Sequence, residues 1–437
     1  VVSYLVASTI AAPVYGRLGD VLGRRRMLIT ALCIFIAASL FCAVSTSIVM
    51  LTAARVLQGL GGGGLMALAQ ALLGENVPLR ARGSYQGYLS ACIVAGSTVA
   101  PVVGGFLTQA WGWQAVFFGY LPVCAIALLL VLRLPPGARS HGRARFDALG
   151  LVLLTGFIVP LLLALSHLQR LDPAAVPMIV ALIVVASAAL AALLWQQSRA
   201  ASPLLALRLL RQPAFWRADV MAACSGGSLV ALVTFLPIYF QVIAGASPAE
   251  SGLLILPFVG AVSSGSVVTG WLISRTGHTA IFPSVGLLIT AVTLVALGVL
   301  APQLSRAQMS WMLAFAGLCQ GSAMITAQIT VQMVAGTRQL GAAAASVQLA
   351  RSLGSAFGVA LAGAALFAVL SAMDRTTASL FLEMVRRGSR VLAELPAEQR
   401  ALVQAEIATA FRGVFLTVAC FSCTIVAMAW TMPVRRL

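Results

Sequence analysis

Long apolar runs, interrupted by short arginine-bearing stretches, divide this chain. A spanning helix needs roughly 20 mainly apolar residues. Thirteen segments of about that length can be marked, at approximately 1–16, 27–46, 48–73, 84–108, 114–133, 148–167, 175–195, 218–240, 251–273, 280–300, 309–334, 342–370 and 411–432. Runs such as LPVCAIALLLVLRL show none of the polar–apolar alternation of a transmembrane β-strand. The pattern therefore predicts an all-α integral membrane protein.

Composition agrees with that reading. The chain is 60% hydrophobic and 9% charged, against about 45–50% and about 25% in soluble proteins. The net charge of +17 is carried by arginines lying between apolar segments rather than on one face of a soluble domain, so it gives no support to a nucleic-acid partner. Loops taken alternately separate sharply. One set holds eighteen arginines; the opposite short loops hold two, Arg170 and Arg306. Because cytoplasmic loops carry the excess of positive charge, the first set is expected inside. The C-terminus is then cytoplasmic and residue 1 external, in a multi-pass protein of the cell membrane. All eight cysteines fall in apolar segments. Cys420 and Cys423 form a C-x-x-C without a nearby histidine or second pair, and read as small packing residues. His167 reads as interfacial. No catalytic set, metal site or cofactor site is expected, and an enzyme is disfavoured.

An internal repeat organises the chain. GRLGDVLGR at 16–24 has an echo in GWLISRTGH at 270–278, pairing Gly16 with Gly270, Leu18 with Leu272, Asp20 with Ser274 and Gly23 with Gly277. A second echo pairs LQGLG at 57–61 with CQGSA at 319–323. Two equivalent halves are expected, with substrate bound between them near the bilayer midplane. If each half holds six helices, one further helix is expected ahead of residue 1, making thirteen visible of fourteen. The expected division is an N-terminal bundle at 1–134 (helices two to six), cytoplasmic linkers with an extra helix pair at 135–213, and a C-terminal bundle at 214–437. That last unit includes an external segment, 371–410, containing an amphipathic stretch that either caps the protein or rests on the surface.

Few polar residues interrupt the apolar segments, and each requires a reason. GRLGDVLGRRR, residues 16–26, reads as a tight cytoplasmic turn: Gly16 and Gly23 allow close backbone approach, and Asp20 can accept from a helix N-terminus across the interface between halves. Asp20 and Arg24 are expected to latch the inner side, with Glu75 as a partner for Arg24, while Arg25 and Arg26 serve topology. Arg55 lies inside an apolar helix, where a charge costs about 2.5–3.5 kcal/mol on insertion scales. It is expected to tune a nearby proton site, the alternative being bonds to backbone carbonyls. Gly59, Gly61 and Gly64 spell G-x-G-x-x-G without a preceding strand, so close helix packing explains them better than a nucleotide. Gly96, Pro101, Gly104 and Gly105 make one helix bendable and open to a neighbour. Arg351 is a second arginine within an apolar segment, lining a cavity or bonding between helices. Asp219 comes nearest to a mid-helix acid and reads as a helix-start residue.

These residues resemble the major facilitator superfamily. Gly16, Leu18, Asp20, Gly23, Arg24 and Arg25 match its motif A; Arg55, Gln58, Gly59 and Gly61 its motif B; and Gly96, Pro101, Gly104 and Gly105 its motif C, with Ala100 where glycine is usual. Gln241, Gly252, Pro257, Arg351, Gly354 and Gly358 are similar to the fourteen-helix drug:H+ antiporter-2 group, while Gln114 and Tyr120 depart from it. The resemblance implies a proton-coupled antiporter exporting amphipathic small molecules by alternating access. Arg55 would act in proton transfer, residues 96–105 would form the antiporter motif, and Gln241 and Arg351 are cavity candidates. The proton-carrying acid would lie in the first helix. Implied partners are the amphipathic substrate, protons, the lipid bilayer and an accessory efflux protein. A nutrient facilitator or importer, or a non-transporting receptor, remains open as an alternative.

Overall fold

The computed structural model describes residues 2–135, 147–168, 175–200, 203–205, 207–336, 339–387 and 396–433. Most of the expected linker after residue 134 and part of the 371–410 segment lie outside them. The helices in chain order are α1 (Val2–Leu22), α2 (Arg24–Ala43), α3 (Ile48–Asn76), α4 (Leu79–Trp111), α5 (Ala115–Arg133), α6 (Ala148–Leu168), α7 (Val176–Arg199), the short α8 (Leu207–Leu210), α9 (Pro213–Val242), α10 (Pro248–Thr276), α11 (Ile281–Leu300), α12 (Arg306–Ala335), α13 (Leu340–Met373), α14 (Arg375–Arg387) and α15 (Ala397–Trp430). Among the described residues no strand forms, and eleven helices are long and apolar enough to cross a membrane.

Each of the thirteen apolar segments corresponds to a helix, but the ends differ from expectation. The 16–26 stretch is not a loop. Helix α1 runs on to Leu22 and α2 starts at Arg24, so one residue, Gly23 at φ +95°, makes the whole break. Its repeat counterpart Gly277 also ends a helix, α10, at φ +70°. Both backbones need the left-handed region that glycine enters without steric cost. Helix α15 begins well before residue 411, because the polar turns of AEQRALVQAE continue the helix past its apolar part. Other starts are set by capping: Ser247 with Glu250 and Ser305 with Gln308 each form a reciprocal capping box.

Burial orders the bundle. Within the first helices, α1 packs on α3, and α2 packs on α3 and α5; among the later ones α10 packs on α12, α9 on α13, and α11 on α15. The groups are joined mainly where α4 lies along α10 and α1 along α13, with α3 also against α13 and α4 against α12. Helix α6 pairs with α7 and touches both α1 and α13. The largest core surrounds Tyr239, whose ring centroid is 5.1 Å from that of Phe411, edge to face. On the outside, α5 and α7 leave most of their apolar residues exposed, an arrangement suited to lipid rather than water.

The described part of the amphipathic stretch falls in α14. Asp374 accepts from the backbone N–H groups of Thr376 (3.0 Å) and Thr377 (3.1 Å), which hold its carboxyl below the usual carboxylate range. The apolar face, Ala378, Phe381 and Met384, is buried in the same core as Val403 and Ile407 of α15. This part of the 371–410 segment is thus fastened to the bundle. Residues 388–395 lie outside the described residues.

Candidate functional site

Three constellations of polar groups stand out. The first lies where α1 meets α13. Asp20, on the last turn of α1, accepts from the backbone N–H groups of Gly341 at 2.8 Å and Ala342 at 3.0 Å. These are first-turn donors of α13, which have no intrahelical partner and carry the positive end of the helix dipole. Arg24 bridges the same carboxylate at 2.9 Å and also pairs with Glu75 of α3. Asp20 and Arg24 are nearly closed to solvent, with side chains 4% and 7% exposed. The structure therefore brings Asp20, Arg24 and Glu75 into one network.

Glycines set the separation of the helices there. A Cβ on Gly16 would sit 2.5 Å from the Gly341 carbonyl oxygen and from Ala345 Cβ, and a Cβ on Gly341 would overlap the backbone of Gly16. Across the molecule Gly83 of α4 and Gly270 of α10 meet in the same reciprocal way. Beside them the backbone N–H of Ser84 donates to Ser274 Oγ at 3.0 Å. The echo of Asp20 with Ser274 is thereby realised in contacts: each accepts backbone N–H from the opposing helix, one as an anion and the other as a hydroxyl.

Two further arginines at this end tie off helix C-termini. Arg25 donates to the Val131 and Leu132 carbonyls, at 3.3 and 2.7 Å, at the end of α5. Arg82 donates to Gly74 and Val77 at the end of α3. Cations at such termini satisfy orphan carbonyls and oppose the dipole. The sequence marks Arg25 as a topology residue; Arg25 and Arg82 both sit three or fewer residues from a helix start, within reach of the carbonyls that end the neighbouring helix.

The second constellation surrounds Arg55. Its Nη1 donates to Gln58 Oε1 at 2.9 Å, and Gln58 Nε2 passes the chain to Ser39 Oγ at 2.8 Å. The guanidinium also lies over the Phe117 ring, 4.7 Å from its centroid, a contact that offsets part of the lost hydration. Among the described residues no carboxylate pairs with Arg55, and its observed bonds are to side chains rather than to backbone carbonyls. The glycines that follow are packing positions: a Cβ on Gly59 would meet the Tyr4 carbonyl oxygen at 2.6 Å, and one on Gly61 would meet Phe35 N at 2.6 Å.

The third is a cavity of about 530 Å³ between α1, α4 and α6 on one side and α9, α10, α12 and α13 on the other. Arg351 lines it, bonded to Gln348 and directed at Met324 Sδ, 3.4 Å away. Gln241 does not line it, which corrects the sequence expectation. It stands four turns beyond Ser225 on α9 and donates to Ser251 Oγ at 3.0 Å, joining α9 to α10. Sequence reading also overlooked Gln320, a cavity residue with a buried amide. Its signal was a row of polar or polarisable residues at four-residue spacing along α12: Gln320, Met324, Gln328 and Gln332.

Two expectations change. Asp219 is six residues inside α9 rather than at its start; it is buried, and its carboxylate accepts from the Ser346 hydroxyl. Gly96, Gly104 and Gly105 have no described atom within 4 Å of where a Cβ would be, so among the described residues no neighbour approaches that face of α4. The helix continues unbroken past 101. Among the described residues no group of three metal-ligating side chains occurs.

A lipid-facing helical bundle, two seams closed by glycine crossings and a cavity between its parts define a membrane transporter. The sequence profile of the Major Facilitator Superfamily matches residues 1–359, and the chain belongs to that family, whose members are transporters rather than enzymes. It is 33% identical over 364 residues to an uncharacterised MFS-type transporter of Mycobacterium tuberculosis (strain ATCC 25618 / H37Rv), covering 83% of this chain and 53% of the relative. It is 30% identical to the multidrug transporter protein MdtP of Bacillus subtilis (strain 168), covering 83% and 67%. The chain thus spans about half the length of the Mycobacterium relative. Among solved structures it superposes on the proton:xylose symporter XylE with a TM-score of 0.63 at 14% identity, covering 99% of this chain and 85% of the other.

Proposed function

We propose that the protein is a proton-coupled antiporter of the fourteen-helix drug:H+ antiporter-2 type, exporting amphipathic small molecules across the cytoplasmic membrane by alternating access. The observation carrying this reading is the pairing of a cavity between helix groups with seams at one end that are closed by breakable polar contacts. The Asp20 end is assigned to the cytoplasm, together with the C-terminus, by the arginine distribution. Bundles at 1–134 and 214–437 would rock about the cavity, with the 135–213 helix pair alongside. On α13, Gly354 and Gly358 are covered by α9. An accessory efflux protein would extend the export path.

Two measurements test this. In everted membrane vesicles holding an acid-inside gradient, adding an exported amphiphile is expected to dissipate the gradient in proportion to transport. Uptake of the amphiphile with no effect on the gradient would remove the antiport reading in favour of facilitation. Arg55→Ala is expected to reduce coupled efflux to background while the protein still inserts, because the Gln58–Ser39 chain loses its charged end. Wild-type efflux by that variant would refute its role in coupling.

A further inference from the structure

The transporter reading leaves the charge class of the substrate open, and the cavity supplies it. Its apolar part includes Leu162, Leu165, Val230 and Val262. Hydroxyls line it from several helices, Ser90, Ser166, Ser225, Thr234 and Ser266 among them, but the charged and amide side chains of the lining, Arg351, Gln320 and Gln348, lie on α12 and α13. Gln348 and Arg351 are one turn apart on α13; Arg351 reaches over to Met324, which is one turn from Gln320 on α12. Guanidinium and amide therefore converge on one patch.

That patch is short of hydrogen-bonding partners. Gln320 is 3% exposed, and neither Nε2 nor Oε1 has a partner. Arg351 is held by an amide oxygen and a thioether, both uncharged. Among the described residues no carboxylate forms an ion pair with it, and no acid lines the cavity. Asp219, the buried acid of α9, is engaged by Ser346 and is not a lining residue. Arg351 is half-buried at the cavity wall; a cation taken partly out of water without an anion is costly, and a ligand bringing the anion relieves that cost. A cationic ligand would add repulsion.

We infer that the cavity selects amphipathic anions: a molecule with a carboxylate or chemically similar head, bound by Arg351 and the Gln320 amide N–H, and an apolar body along the Leu162–Val230 side. The cavity volume lies in the range of drug-sized binding sites, about 300–1,000 Å³. This inference rests on the transporter reading only for the word substrate; binding itself can be measured without any gradient.

The test is equilibrium binding to the purified protein of three fluorescent probes sharing one apolar body: a dansyl-labelled fatty acid, its methyl ester and the matching trimethylammonium compound. Loss of a charge-assisted bond corresponds to about 10- to 100-fold in affinity. The carboxylate is accordingly expected to bind at least about 10-fold more tightly than either other probe. Arg351→Gln should remove that preference while the ester's affinity stays within about 3-fold, and Gln320→Leu should weaken the carboxylate selectively. If Arg351→Gln does not fold, Arg351→Lys, which keeps the charge, and Gln320→Leu decide the matter: the lysine variant must retain the preference and the leucine variant must reduce it. Equal or tighter binding of the cation, parallel loss of ester and carboxylate, or no binding of any probe overturns the inference. Failure of vesicle coupling with carboxylate binding intact would instead count against antiport alone.

Discussion

Asp20→Asn is expected to bring export to background in everted vesicles without reducing the amount of folded protein in the membrane. The asparagine is nearly isosteric, so its effect is electrostatic. The carboxylate accepts from two backbone N–H groups at the start of α13 and from Arg24. An amide offers one acceptor oxygen and turns an N–H₂ donor toward groups that are themselves donors. Arg24 is left with Glu75, whose side chain is 41% exposed and holds it weakly. Removing one member of a buried pair typically costs about 3–5 kcal/mol, and 3 kcal/mol shifts an equilibrium by roughly 100-fold or more. The seam between α1 and α13 should stand open in the variant. Thiol labelling of a cysteine introduced beside Ala345 would register this as a gain in accessibility. Wild-type export, or unchanged labelling, would exclude Asp20 as a latch.

Gly16→Leu should give an effect of similar size by a different route. Here the obstacle is Cβ itself, placed 2.5 Å from a backbone carbonyl oxygen of α13, and no rotamer change can relieve it. The helices must separate. Since this crossing joins α1 to α13 and not to α3, packing inside each helix group should survive. The expected product is an inserted protein that cannot close its Asp20 end. Gly83→Leu should reproduce it through α10. A cysteine pair placed across α4 and α10 that cross-links in the parent and fails to do so in Gly83→Leu would meet the expectation. Retained cross-linking and export would show that the seam yields without opening.

Sequence pattern conveyed the helices well because bilayer thickness imposes length and apolarity on every span, and these are read residue by residue. It conveyed their ends poorly. Polar residues at 16–26 and at 397–410 do not stop a helix; they only carry it beyond the apolar layer, and at the first place Gly23 alone breaks it. The repeat located the seams, since Gly16 and Gly270 each sit at a glycine crossing, and it did so because two related helices must solve the same contact. Depth was less legible. Gln241 and Arg351 looked alike as polar residues in apolar segments, yet one joins α9 to α10 outside the cavity and the other lines it. The partners of Asp20 on α13 lie more than 300 positions along the chain, a distance over which sequence supplied only the expectation of a helix terminus.

The replacement of Asp20 by Ser274 in the second copy has a mechanical consequence. One seam is fastened by ionic contacts, and the other by a neutral hydroxyl that can reform its bond with little reorganisation. The neutral fastening should let go earlier: α4 is expected to slip from α10 first, with the Asp20 latch between α1 and α13 releasing after it. Opening at this end would then be lopsided, beginning on the side away from α6.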